Sequence, residues 1–182
     1  MQRTEVRIGG FGGQGVVLAG VLLGQAALND GRYAVQNQSY GAEARGGAAR
    51  SEVIIADATI IYPEVVAPDI MVVLSQAALD RYQADFPANG TLIADEELVS
   101  EIPELPRARI LRCPFTEVAG NELKRPITAN MVMLGYMARA TGVVGVESLE
   151  TAVGDGVPAG TEDVNLTALR RGMALAGDLA AP

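Results

Sequence analysis

Short apolar runs alternate with longer apolar stretches along most of the chain, and glycine or proline marks nearly every junction. Val6–Phe11 is short and apolar, as a buried strand is. It leads through Gly9-Gly10-Phe11-Gly12-Gly13-Gln14-Gly15 into a stretch that predicts a helix from Gly15 to about Asn29. That stretch is apolar on nearly every face, so burial is expected rather than an amphipathic surface helix. Asn29-Asp30-Gly31 is a stop and turn signal. Tyr33–Gln38 and Arg50–Asp57 predict two more strands, the latter centred on Val53-Ile54-Ile55. Asp69–Leu74 is the most apolar run and predicts a central parallel strand. Ser75 can cap a helix over Gln76–Asp85, and strands are expected at Thr91–Ala94 and Arg109–Cys113.

Beyond Pro114 the pattern turns helical. Phe115–Glu122, with Thr116 as its cap, Ile127–Thr141, Val146–Val153 and Glu162–Leu179 are the predicted helices. A loop holding Gly154, Gly156, Pro158 and Gly160 separates the last two. Apolar strands alternating with helices indicate an α/β fold around a mostly parallel sheet with a helical C-terminal part. No repeat or composition break divides residues 1–182, so one domain is expected. In such sheets ligands gather at the C-terminal ends of the strands.

Composition narrows the chemistry. At 49% hydrophobic and 20% charged, the chain should be globular, and with 4% aromatics and no Trp its core must be aliphatic. A net charge of −8 argues against nucleic-acid binding. There is no His, which removes the commonest general base and metal ligand. The single Cys113 cannot supply four thiolates to a cluster, and its neighbours Ile110, Leu111 and Phe115 point to a buried apolar role. No metal site and no catalytic residue of this chain's own is expected. Met1–Glu5 leads into a strand without an apolar leader, and the run after the first glycines is shorter than the roughly 20 residues a bilayer requires. A cytoplasmic protein without membrane contact is the expectation.

Candidate chemistry lies in two glycine elements. Gly10-x-Gly12-x-x-Gly15 satisfies the dinucleotide fingerprint and has the right strand–turn–helix setting. The acid that would hold a nicotinamide cofactor's ribose is missing, because the second strand ends in Gln36-Asn37-Gln38. A Walker A loop fails, since no Gly-Lys-Ser or Gly-Lys-Thr follows. Three readings stand on this loop alone: a turn that only permits close packing, an anion site at a helix N-terminus, and a direct dinucleotide site. The second element, Ser39-Tyr40-Gly41-Ala42-Glu43-Ala44-Arg45-Gly46-Gly47, brings a ring, a fixed positive charge and three glycines to one loop. Arg45 suits phosphate or carboxylate. Its alternative is a solvated turn with Arg45 paired to Glu43.

These residues carry a resemblance. Gly9–Gly15, Gln38–Gly47 and Ser51-Glu52-Val53-Ile54-Ile55 resemble the gamma subunits of the 2-oxoacid:ferredoxin oxidoreductases. The similarity continues through Pro68-Asp69-Ile70, Asn130-Met131, Leu134-Gly135 and Val164-Asn165-Leu166, and so covers nearly the whole chain. Val35–Gly41 and Arg50–Val53 are most similar to the 2-oxoglutarate members, with pyruvate and branched-chain versions as near alternatives. Ala42 stands where relatives often carry Pro, which alters loop stiffness more than chemistry.

The resemblance implies a Rossmann-like three-layer sandwich spanning 1–182, a gamma-type catalytic domain that is not active alone. It implies CoA-dependent oxidative decarboxylation of 2-oxoglutarate to succinyl-CoA with reduction of ferredoxin. Thiamine diphosphate with Mg would lie between alpha and beta subunits, and iron–sulfur clusters in beta and delta. This chain would hold none of them alone. Coenzyme A would approach through this subunit, and the cofactor-binding residues would be Gly10, Gly12, Gly13, Gln14, Gly15, Tyr40, Gly41, Arg45, Gly46, Gly47 and Asn130, a surface that suits the phosphates of coenzyme A, a carboxylate or the face of a neighbouring subunit. Asn130 can equally be an exposed helix position; Lys124-Arg125 reads as an exposed basic pair, with contact to a phosphate as its alternative. A self-sufficient NAD-dependent enzyme and a non-catalytic CoA- or nucleotide-binding module are the competing functions.

Overall fold

In the computed structural model, which describes residues 2–40 and 48–177, the apolar runs assemble into one six-stranded sheet of order β2-β3-β1-β4-β5-β6. The strands are β1 (Arg3–Phe11), β2 (Tyr33–Tyr40), β3 (Ala48–Ala56), β4 (Ile70–Val73), β5 (Thr91–Asp95) and β6 (Arg109–Cys113). β1, β4, β5 and β6 run parallel, with Ile8 opposite Val72 and Val72 opposite Ile93. β3 is antiparallel to both β1 and β2. The connection over residues 41–47 is too short for the crossover of a dozen or more residues that parallel neighbours require.

The helices are α1 (Val16–Asn29), α2 (Gln76–Tyr82), α3 (Phe115–Glu117), α4 (Ala129–Thr141), α5 (Val146–Gly156) and α6 (Glu162–Ala176). α1, α4, α5 and α6 cover one face of the sheet and α2 the other. β4 shows why its run is unbroken: Ile70 and Val72 enter the large core, while Met71 and Val73 enter the smaller core under α2. Ser75 caps α2 as expected, its Oγ accepting the Ala78 N–H at 3.2 Å.

Four local expectations change. α1 is not covered all round: Val21 and Leu28 are exposed. α5 continues through Gly154 to Gly156, so the loop begins only at Val157. Phe115–Glu122 is one α-helical turn that widens into a π-turn over Val118–Glu122, closed by the Leu123 N–H on the Val118 carbonyl at 3.0 Å. Thr116 does not cap it; its N–H and hydroxyl donate instead to the Asp95 carboxylate, at 3.0 and 2.8 Å, and tie the turn to the end of β5.

Glycines set the closest helix approach. A Cβ on Gly172 would lie 1.9 Å from the Val132 carbonyl oxygen, and one on Gly135 would lie 2.0 Å from that of Leu169. α4 and α6 therefore touch backbone to backbone. On the α2 face, Arg7 is 2% exposed and donates to Glu52 at 2.7 Å and Asp85 at 2.9 Å, with its guanidinium 5.5 Å from the Tyr82 ring centre. This buried charge is paired, as a charge removed from water must be. Among the described residues no helix is long and apolar enough to cross a membrane.

Candidate functional site

The sheet changes direction between β1 and β4, where the chain leaves β1 toward one edge and β4 toward the other. A crevice at the C-terminal ends of two such strands is where α/β sheets receive ligands. Here it is filled by the first glycine element. The Gln14 N–H donates to the Phe11 carbonyl at 3.1 Å, closing a four-residue turn over Gly12 and Gly13. Gly13 sits at φ +104°, the conformation a type II turn needs at its third residue. Its Cβ direction is open, with nothing within 4 Å. Gly15, at φ +70°, is the N-cap of α1.

Two side-chain amides hold this turn. Gln14 bridges the strand ends: its Oε1 accepts the Phe11 N–H at 2.6 Å and its Nε2 donates to the Leu74 carbonyl at 3.0 Å. A Cβ on Gly10 would lie 2.6 Å from Gln14 Oε1, so Gly10 makes room for the brace. Asn130, near the start of α4, donates from Nδ2 to the Gly15 carbonyl at 3.2 Å. It is 4% exposed, so the exposed alternative does not hold. A Cβ on Gly15 would lie 2.3 Å from that same nitrogen.

Asn130 brings the beginnings of two helices together, and α6 adds a third. Between them lies a cleft of about 510 Å³. Gly13, Gly15 and Leu18 line it from the glycine turn and α1. Arg125, Ile127, Thr128 and Asn130 line it from the approach to α4. Pro158, Gly160, Thr161, Val164 and Asn165 line it from the approach to α6. Asn165 fixes that last corner by donating from Nδ2 to the Thr161 carbonyl at 2.8 Å. A recess of about 210 Å³ shares Arg125, Thr128 and Val164 with the cleft and adds Asp163.

The first turns of α1 and α4 contain no acid; α4 continues from a 3₁₀ turn over Pro126–Thr128, whose Pro126 carbonyl takes the Ala129 N–H, so it is α1 whose first N–H groups form an open positive end. α6 differs, carrying Glu162 and Asp163 in its first turn. The cleft is thus polarised, favouring negative charge at the α1 side.

The structure brings Gly12, Gly13, Gln14, Gly15 and Asn130 together at this edge, with Gly10 just beneath. Tyr40 lies opposite Ala49 at the end of β2, level across β3 with Gly10, which pairs with the same Ala49. Gly41, Arg45, Gly46 and Gly47 lie outside the described residues. Arg125, Thr161 and Asn165 join the cleft without having been singled out as its walls. Pro126 and the Pro158–Gly160 turn, each just before a helix, were the available signals.

Cys113 is buried and uninvolved. Burial pushes its thiol up to about 12, with the Asp95 and Glu96 carboxylates adding to the effect. Among the described residues, no three His, Cys, Asp or Glu side chains are arranged to hold a metal ion.

Residues 5–175 match the family described as pyruvate ferredoxin/flavodoxin oxidoreductase. The chain is 51% identical over 180 residues to the 2-oxoglutarate synthase subunit KorC of Methanocaldococcus jannaschii, covering 97% of this chain and 96% of that one. It is 41% identical to the solved keto/oxoacid ferredoxin oxidoreductase gamma subunit of Geobacter sulfurreducens, with a TM-score of 0.84 across 95% of this chain and 98% of that chain. The 2-oxoglutarate:ferredoxin oxidoreductase of Magnetococcus marinus, solved with 2-oxoglutarate, coenzyme A and succinyl-CoA bound, shares the fold at a TM-score of 0.89. At 20% identity, with this chain covering 32% of its length, that likeness speaks to fold alone.

Proposed function

The chain belongs to the pyruvate ferredoxin/flavodoxin oxidoreductase family, and from that premise we propose that it is the gamma subunit of a 2-oxoglutarate:ferredoxin oxidoreductase. In the assembled enzyme, 2-oxoglutarate loses carbon dioxide and two electrons, the electrons reduce ferredoxin, and the succinyl group passes to the sulfur of coenzyme A. The observation that carries this reading is identity of about half the residues to a 2-oxoglutarate synthase subunit over nearly the full length of both chains.

The residues divide the labour. With no His and one buried Cys, this chain has no donor set for an iron–sulfur cluster. On the family resemblance, thiamine diphosphate, its Mg and the clusters are assigned to alpha, beta and delta partners, where they would supply carbanion stabilisation and electron transfer. Residues 1–182 act as one domain within that complex, in the cytoplasm. The chain's own contribution is to hold and orient coenzyme A. The Gly12–Gly15 turn and the first turn of α1 offer backbone N–H groups to its phosphates. Gln14 and Asn130 keep that turn in one conformation, so its ordering is complete before the ligand arrives. Gly41, Arg45, Gly46 and Gly47 are proposed to complete the same edge, with Tyr40 leading into them.

The substrate is tested by co-expressing the chain with its alpha, beta and delta partners and assaying a panel of 2-oxoacids with coenzyme A and a ferredoxin acceptor. 2-Oxoglutarate should give the highest kcat/KM. Preference for pyruvate or a branched-chain 2-oxoacid would reassign the substrate while keeping the family.

A further inference from the structure

β2 is an edge of the sheet, and it lacks what normally keeps edges apart. It pairs with β3 residue for residue, from Tyr33 opposite Ala56 to Tyr40 opposite Ala49, so no bulge turns it away. Its sequence, Tyr-Ala-Val-Gln-Asn-Gln-Ser-Tyr, holds no charge and no proline. Edges usually carry such guards, because their outward N–H and C=O groups are a template for another strand. The opposite edge has them: β6 is five residues long and includes Arg109 and Arg112. β2 packs against β3 and α1, and no described strand or helix lies along its outer side.

A second observation concerns the face of the sheet away from α1. The segment that follows β3 crosses this face, held by side chains from the strands beneath. Asn37 donates from Nδ2 to the Pro63 carbonyl at 2.6 Å, and Arg3 donates to the carbonyls of Tyr62 and Glu64, each at 3.1 Å. So fixed, the segment still turns Ile61 and Tyr62 to solvent. Tyr33, on the same face of β2 as Asn37, is also exposed. A strand of eight residues gives a strip about 27 Å long and one strand wide, less than the roughly 800 Å² that each side of a stable interface buries. Apolar side chains beside the strip must supply the rest, and these three stand there.

Charge selects the occupant. The chain carries a net −8, so two copies repel unless they meet on a neutral strip. A two-fold contact sets β2 antiparallel to its own copy, where any charge on it would lie close to the same charge. Residues opposite each other must both turn their N–H and C=O groups outward, so the axis passes through a residue. The registers of longest overlap place it at Gln36 or Asn37, and both oppose only uncharged residues. An edge built for an unlike partner would use charge to orient it.

We propose that β2 pairs with the β2 of a second copy of this chain, joining two six-stranded sheets into one across a two-fold axis, with Tyr33, Ile61 and Tyr62 packed against the other copy. The pairing stands whichever 2-oxoacid the complex uses.

The test measures the mass of the purified full chain by light scattering over a range of concentrations. Wild type is compared with Gln38→Lys/Ser39→Lys and Gln38→Glu/Ser39→Glu, both positions being exposed, one on each face of β2. Wild type should approach twice 19.0 kDa. Each charged variant should raise the dissociation constant about tenfold, and mixing the Lys chain with the Glu chain should restore the dimer, which also shows that both fold. Hydrogen exchange should slow at alternate N–H groups of Tyr33–Tyr40 in the dimer. A wild type that stays monomeric, variants that dimerise as wild type does, no recovery in the mixture, or a dimer whose β2 exchanges as fast as in the monomer would each overturn the inference. A monomeric wild type whose Lys variant no longer binds the alpha and beta chains would overturn it too, and would assign the edge to a partner subunit.

Discussion

Gly15 and Asn130 form one unit at the residue scale. Gly15 needs a positive φ to start α1, and the space its missing side chain leaves is taken by the Asn130 amide. Gly15→Ala should therefore cost about 1–2 kcal/mol for the left-handed backbone alone, and more for displacing Asn130. Asn130→Ala combined with Gly15→Ala should recover only the displacement part. A double-mutant cycle by chemical denaturation measures the difference, and full additivity of the two substitutions would show that they do not touch. The need for glycine was legible from the Gly10-x-Gly12-x-x-Gly15 spacing. Gln14's part was not, because a brace between Phe11 and Leu74 exists only once β1 and β4 lie side by side. Arg125 read as an exposed basic residue and is one; that it also borders the cleft depends on where α6 packs.

α4 and α6 are the elements that give the cleft its walls, and their separation is set by Gly135 and Gly172. A methyl group on Gly172 would fall on the Val132 carbonyl, where backbone cannot yield as a flexible side chain could. Gly172→Ala should destabilise the chain by about 1–3 kcal/mol through overpacking. It should also raise the KM for coenzyme A, because Thr161 and Asn165 move with α6. Unchanged stability and KM would mean that the helices separate without disturbing the cleft. Most elements were readable from periodicity, since β4, β5 and β6 are apolar runs closed by turn residues. The π-turn at Val118–Glu122 was not readable, because it arises where Asp95 holds Thr116 from another strand. The antiparallel β3 is explained by the short connection over residues 41–47 rather than by its own composition.

At the scale of the whole molecule, the chain has the marks of a part. Ile61 is 93% exposed and Ile127 85%, with Tyr62 and Val66 also exposed, and in the proposed complex these are side chains that other subunits would cover. Its proposed chemistry is equally partial: a cleft at the start of α1, beside a sheet edge, offered to the anionic tail of a cofactor whose reaction is carried by other subunits. The most direct measurement is an omission experiment on the purified complex. Alpha, beta and delta chains are prepared with and without this chain, and 2-oxoglutarate-dependent, CoA-dependent ferredoxin reduction is followed. The chain should co-purify with its partners, and succinyl-CoA formation should fall to background without it and return on its addition. Full activity from the complex lacking it, or from this chain by itself, would contradict the account.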